Sequence, residues 1–413
     1  MIMAGRLQQV DRSRERPRIT LLVFAVVIGI VVLVGPAAPA QHFRVLHFFG
    51  GGRDGAMPLS TLVRDSSGNL YGTTQLGGAS FCPYLDTGCG TVFKLDVKGR
   101  ITILHTFAGV PDGADPSTGM IRDQQGNFYG TTFYGGTFNA GTVFKMDPKG
   151  RLRVLHSFTW TNGDGAFPSG GLVMDRDGSL YGTTQEGGRD DYCWGDCGTV
   201  FKIDKTGKET VLLGFILPSA YPTASMIWDA EGHLYGTTSG NGSSSFGTVF
   251  EVNDSGPATI LYRFSGGEDG GVPDGNLVRD ASGHFYGTTL SFGKWHRGVV
   301  FELTADGEEK VLYSFKGQPD GESPFAGLVR DEESNLYGVS LGGGTANRGT
   351  IFKLDKARKM TLLHSFVGPD GINPYGGLLR DTAGNLYGTT EFGGDPACIL
   401  LPGGCGVVFE LSP

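Results

Sequence analysis

"NLYGTTQLGG" occupies residues 69–78, and a near copy of it returns six times along the chain. The copies place a tyrosine at Tyr71, Tyr129, Tyr181, Tyr235, Tyr286, Tyr337 and Tyr387, at spacings of 58, 52, 54, 51, 51 and 50 residues. Six of the seven continue Tyr-Gly-Thr-Thr, and the copy at 337–340 reads Tyr-Gly-Val-Ser. A length of 413 residues would ordinarily suggest two or three domains, but a fixed internal period overrides that count.

Each period contains four short segments. In the first copy these are "STLVRD" (60–65), "NLYGTT" (69–74), "GTVFKLD" (90–96) and "ITILHTF" (101–107). All four are rich in β-branched and aromatic residues, and turn residues separate them, so they are expected to be strands A, B, C and D. The A–B and C–D linkers read Asp-x-x-Gly, where Asp accepts from backbone amides ahead of it and Gly supplies positive φ; both are tight hairpins. Seventy glycines, well over twice the usual share of about 7%, fit many short strands and turns. A hydrophobic fraction of 39% and 27 phenylalanines exclude disorder.

Four antiparallel strands in about 50 residues make one propeller blade. The ends of the chain argue for a closed ring. "FRVLHFF" (43–49) matches strand D, whereas the last copy supplies A (377–381), B (385–390) and C (406–411) and lacks a D. The fold expected is therefore all-β: a seven-bladed β-propeller over 41–413, closed by the N-terminal strand completing the last blade. Closure removes the exposed edges of an open array.

Residues 1–40 read as a targeting segment. Five arginines (Arg6, Arg12, Arg14, Arg16, Arg18) precede the apolar run Ile19–Val34, and Ala38-Pro39-Ala40 offers the small residues of a cleavage site. Cleavage is expected after Ala40, with an uncleaved N-terminal membrane anchor as the alternative. Either way the remainder lies outside the cytoplasm, because the arginine flank stays inside. Six cysteines fit that compartment. They fall in three local pairs, Cys82/Cys89, Cys193/Cys197 and Cys398/Cys405, each within one loop and each expected to form a disulfide. The spacings do not suit zinc.

The strings "GGLVMDRDGSLYGTT" (170–184), "GTVFKID" (198–204) and "PDGINPYGGLLRDTAGNLYGTTEFGG" (369–394) resemble the GloVer (Gloeo-Verruco) tandem-repeat family of exported bacterial proteins. The resemblance covers essentially all of 43–413. It implies export and a repeat fold, and it implies no particular reaction. Many members of that family carry a C-terminal sorting signal; here any anchor is expected to be the N-terminal segment.

The seven copies serve as one another's controls. An Asp closes strand A in every copy, from Asp65 to Asp381, which a turn-capping role explains. The Tyr-Gly of strand B reads as blade-to-blade packing, with Gly where a neighbouring backbone comes close. Strand D carries His47, His105, His156 and His364 at one slot, but Leu213, Tyr262 and Tyr313 share that slot, so a metal ring is rejected. Strand A ends in Arg64, Arg122, Arg279, Arg330 and Arg380, which are expected near one channel mouth and paired with carboxylates.

Function is sought in the B–C and D–A loops, which vary on one face. The D–A connections carry Asp-Gly (Asp54, Asp112, Asp164, Asp269, Asp320, Asp370), and the fourth breaks the pattern with "LPSAYP" (217–222). The candidate ligand-binding residues are Tyr84, Tyr134, Trp194, Trp295, Asp112, Asp164, Asp320 and Asp370. Aromatic faces stack on a pyranose and carboxylates accept its hydroxyl protons. The simpler reading is that the aspartates cap turns. Residues that break the repeat (Glu186, Arg189, Asp190, Asp191, Lys294, His296) show no recognisable catalytic motif. No cofactor is expected, with calcium the one metal that Gly-rich Asp turns would suit. The net charge of −8 excludes a nucleic-acid partner. The expectation is an exported, monomeric, non-catalytic binding or surface-interaction module for polysaccharide or another cell-surface component, touching the membrane only through its N-terminal segment. The alternatives are an extracellular lyase, lactonase or glycoside hydrolase, or a purely structural repeat domain.

Overall fold

The computed structural model describes residues 41–78, 82, 87–161, 163–188, 197–216, 220–240, 245–252 and 258–413. The targeting segment 1–40, Tyr84, Cys193 and Trp194 lie outside them. The chain forms seven antiparallel sheets, each containing strands A-B-C-D in order, with Gly165–Pro168 as a fifth strand on strand B of blade 3, and no helix among the described residues. In blade 1 the strands are Val63–Arg64, Leu70–Thr74, Thr91–Leu95 and Ile101–Thr106. In blade 7, A, B and C are Leu379–Arg380, Leu386–Thr390 and Val407–Ser412. Its strand D is His42–Phe48 from the other end of the chain, paired from His42↔Ser412 to Phe48↔Val407. The N-terminal strand thus closes the ring.

Strand A is shorter than the sequence suggests: two residues instead of six. Upstream of Val63 a side chain replaces the ladder, since the Thr73 N–H donates to the Ser60 hydroxyl at 3.0 Å. At the same slot other blades place Gly170, Gly275 and Gly376, where a Cβ would lie within 2.6 Å of a strand B threonine hydroxyl. Those threonines also link blades: Thr389 donates to the Ser60 carbonyl at 3.2 Å and Thr288 to Ala326 at 3.1 Å.

The core of each blade is one cross-strand pair. The Gly of Tyr-Gly-Thr-Thr faces the strand C phenylalanine, as in Gly72↔Phe93. A Cβ on Gly72, Gly130, Gly182, Gly236, Gly287, Gly338 or Gly388 would come within 2.4–2.7 Å of that ring. The close approach is therefore by an aromatic side chain of the same blade, not by a neighbouring backbone. The seven phenylalanines are completely buried. Each meets, edge-on, the phenylalanine that follows strand D of the preceding blade: Phe49–Phe93, Phe107–Phe144, Phe158–Phe201, Phe215–Phe250, Phe264–Phe301, Phe315–Phe352 and Phe366–Phe409, at 5.0–5.5 Å. Every blade boundary carries this contact, including the one closed by the N-terminal strand.

The strand A aspartate caps its hairpin in all seven blades, accepting the N–H four residues ahead at 2.8–3.0 Å. It also accepts the strand B tyrosine hydroxyl at 2.9–3.2 Å, which explains tyrosine rather than phenylalanine there. Burial alone would raise the Asp65 carboxyl, but bonds from Asn69 and Tyr71 outweigh it and hold its pKa below the ordinary value. The arginines of strand A reach sideways to the preceding blade. Arg64 lies 3.7 Å from Asp381 and over the Tyr387 ring, and Arg279 lies 3.8 Å from Asp229 and over Tyr235. Trp228 takes the equivalent place against Tyr181.

Two of the three expected cysteine pairs, Cys82–Cys89 and Cys398–Cys405, are disulfides. The third expected pair, Cys193 with Cys197, is described only at one end. Cys197 is buried and disulfide-bonded, but Cys193 lies outside the described residues, so the pairing of Cys197 with Cys193 stays an expectation from the spacing.

Two outcomes test this account. Phe201→Ala removes a ring packed on both Gly182 and Phe158 and should destabilise by about 3–5 kcal/mol in thermal or denaturant unfolding. Deleting residues 41–49 uncovers the Val407–Ser412 edge; size-exclusion chromatography should show association, and adding a synthetic 42–49 peptide should raise Tm.

Candidate functional site

The D–A connections build one end of the ring. Each ends in x-Pro-x, and the residue before the proline is left-handed in all seven: Met57, Asp115, Phe167, Tyr221, Val272, Ser323 and Asn373, with φ between 53° and 63°. That conformation is unfavourable for side chains of this size. Hydrogen bonds to the preceding blade hold it. The Met57 N–H donates to the Cys405 carbonyl at 2.9 Å, Asp115 to Cys89 at 3.1 Å, Tyr221 to Cys197 at 3.3 Å and Val272 to Phe246 at 2.7 Å. In three blades a disulfide-bonded cysteine is thus the residue whose carbonyl grips the next connection.

The residue after each proline faces the axis. Leu59, Ser117, Ser169, Thr223, Asp274, Phe325 and Tyr375 line a narrow central channel, one from each blade. The channel opens on the B–C and D–A face into a funnel of about 640 Å³. This ring has no sevenfold sameness. Phe325 and Tyr375 pack ring to ring at 4.2 Å, and Leu59 follows them around the axis, which makes one wall apolar. The opposite side carries the polar groups, together with the Phe133, Tyr134 and Tyr221 rings from its loops.

Two carboxyls face the funnel. Asp115 is buried, with 5% of its surface exposed. Gln75 donates to its Oδ2 at 3.0 Å, while Oδ1 has no hydrogen-bond partner. Burial raises its pKa from 3.8 to about 6. Asp274 accepts from Thr223 at 2.6 Å and from the Ser239 hydroxyl, and those two hydroxyls are 2.8 Å apart. Burial raises the Asp274 carboxyl as well, against the pull of these donors. The Tyr375 hydroxyl is pushed up by burial and by the negative charge of Asp274, Glu391 and Asp115, so charges from different blades converge on this ring. The arrangement offers an aromatic face opposite hydroxyl, amide and carboxyl groups.

Of the residues singled out from sequence, Tyr134 lines the funnel. Trp295 stands on the blade 5 B–C loop, 49% exposed, with the Lys294 ammonium 5.5 Å from its ring. Asp112, Asp164, Asp320 and Asp370 each accept a loop N–H: Ala108 to Asp112 at 3.1 Å and Val367 to Asp370 at 2.8 Å are examples. Their second partner is the strand D slot: His105–Asp112 at 2.8 Å, His156–Asp164 at 3.3 Å, Tyr313–Asp320 at 2.8 Å and His364–Asp370 at 2.9 Å. Leu213 occupies that slot where "LPSAYP" supplies no aspartate, so the two slots change together within one chain. Among the described residues no group of three or more His, Cys, Asp or Glu side chains is placed to hold a metal ion.

Sequence reasoning passed over Asp115, Asp274, Phe325 and Tyr375. The signal was present: they flank a proline that recurs in every copy, in slots where the residue type varies from copy to copy.

The extracellular domain of a protein described as a one component system from B. thetaiotaomicron shares the fold at 11% identity and a TM-score of 0.53, over 90% of this chain and 40% of that one. This chain thus spans well under half of that domain. A gluconolactonase from Xanthomonas campestris aligns over 74% of this chain and 87% of its own at 14% identity, with a TM-score of 0.44. No curated protein matches the sequence. The model of the Gloeobacter/Verrucomicrobia repeat matches residues 29–222, 83–291 and 221–413, and the chain belongs to that family.

Proposed function

We infer that this protein is an exported binding module for carbohydrate, with its site in the axial funnel. The observation that carries the reading is the two-sided ring, with Phe325 and Tyr375 on one wall and Asp274, Thr223, Ser239, Asp115 and Gln75 on the other. A pyranose has an apolar face for the aromatic wall and an edge of hydroxyls for the polar one. The open funnel suits the end or a bend of a polysaccharide better than an enclosed metabolite. Disulfides in B–C loops support an extracytoplasmic setting. Calcium bound by loop carboxylates remains part of the proposal, and so does the monomeric state. A second reading, a hydrolase, draws on Asp115: a carboxyl at the funnel wall whose pKa burial raises to about 6 has the raised affinity for a proton that a general acid needs.

Full-length protein on a polysaccharide array, with calcium and with a chelator, while released product is assayed, separates the readings. Binding without turnover supports the module, product release supports the hydrolase, and silence in both assays supports a structural role. Tyr375→Ala should weaken any array ligand about tenfold, roughly 1.4 kcal/mol of lost stacking, with the melting temperature little changed.

The Asp115 carboxyl gives a pH test. Its pKa is about 6 folded against 3.8 unfolded. Below pH 3.8 both states are neutral and the contribution of this group is complete. Between about pH 4 and 6 the unfolded chain ionises first, so stability falls as pH rises and levels off above that window. Two units correspond to about 3 kcal/mol. Asp115→Asn removes this slope, so melts at about pH 4 and about pH 7.5 should show the variant gaining on wild type only at the higher pH.

A further inference from the structure

The connection from blade 2 to blade 3 departs from five of the others at one backbone position. Two residues beyond the phenylalanine that follows strand D stands a left-handed glycine: Gly51 (φ 79°), Gly109 (85°), Gly266 (71°), Gly317 (84°) and Gly368 (113°). The counterpart at 217 lies outside the described residues. In this connection the position is Trp160, with φ 61°. The largest side chain thus sits in a conformation that glycine adopts without strain. Core packing does not require it, because Trp160 is 47% exposed.

Trp160 begins an aromatic strip. It meets Phe167 edge-on at 5.2 Å. Phe167 is stacked on Phe133 at 5.2 Å and 22°, and Tyr134 meets it edge-on at 5.6 Å. Phe133 and Tyr134 are themselves part of the funnel wall. Aromatic surface therefore runs without a break from inside the funnel to the exposed indole on the outer face. Strain retained at an exposed aromatic, in line with a polar pocket, is the mark of a ligand contact rather than of folding.

We propose that Trp160 and Phe167 form a second carbohydrate subsite continuous with the funnel, so that the protein takes a linear oligosaccharide rather than a monosaccharide. One end of the chain occupies the funnel and a following unit stacks on the indole. The proposal rests on the carbohydrate reading of the funnel.

The test uses full-length protein titrated with laminari-, cello- and xylo-oligosaccharides of one to six units, followed by calorimetry and by tryptophan fluorescence. Trp160→Gly is the informative variant, because glycine holds this slot in five of the other six connections and relieves the strained backbone. The hexamer should bind wild type more tightly than the monosaccharide and shift its tryptophan emission. Trp160→Gly should reduce the hexamer-to-monosaccharide affinity ratio about tenfold and abolish the shift. Tyr375→Ala should instead weaken both lengths. Equal affinity for one and six units, or a ratio untouched by Trp160→Gly, overturns the second subsite and leaves the funnel standing. A hexamer lost with Trp160→Gly but retained by Tyr375→Ala overturns the funnel reading. Failure of every sugar to bind wild type overturns both.

Discussion

The structure depends on a glycine that makes room for a phenylalanine. In each blade the middle of strand B has no side chain, and the strand C ring fills the space that leaves. Glycine normally weakens a strand, through entropy and lost packing. Here the loss is offset by complete burial of a ring, and the same ring then meets the phenylalanine of the preceding blade. One contact thus joins strand to strand within a blade and blade to blade around the ring. Because it recurs at the boundary closed by Phe49 and Phe93, that blade is fastened by the same contact as the other six.

Around that core, polar side chains do the work of shape. The strand A aspartate holds a hairpin and a tyrosine hydroxyl together, and the aspartate of the D–A connection holds a loop and a histidine or tyrosine of strand D. Both sets hold backbone and side chain in place within their own repeat. The variation that matters lies between them, at the residues on either side of the recurring proline. There the backbone is the same in all seven blades, down to the left-handed φ, while the side chains differ. A fixed frame presents seven independent choices to one axis, and this chain uses them to make one wall aromatic and the other polar. Trp160 extends the aromatic choice outward at a position where the frame itself would take glycine.

A rigid support is what gives such a wall value. The x-Pro-x connections are hydrogen-bonded to the preceding blade, and the disulfides Cys82–Cys89 and Cys398–Cys405 fix two of the loops that accept those bonds. Side chains held this way lose little freedom on binding. Asp115 shows the opposing cost: a carboxyl kept at the funnel wall with one oxygen unpartnered is unfavourable for the folded state near neutral pH.

The repeat, the four strands of a blade, the seven copies, the strand that closes the ring and two of the disulfides were legible in the sequence, because period, turn chemistry and cysteine spacing are local and were repeated along the chain. For Cys197 the spacing named a partner, Cys193, that the described residues do not include. The bond from the strand D histidine slot to the connecting aspartate was not visible in the sequence, since the partners are joined by loop geometry rather than by a motif. The length of strand A and the neighbour of the strand B glycine were likewise decided by contacts across strands. The candidate site was decided by tertiary structure alone. Asp115, Asp274, Phe325 and Tyr375 come from blades 2, 5, 6 and 7, as far as 260 residues apart, and only closure of the ring brings these residues beside the recurring proline to a common axis. A sequence displays what each repeat shares; what seven different side chains do together depends on where the ring brings them.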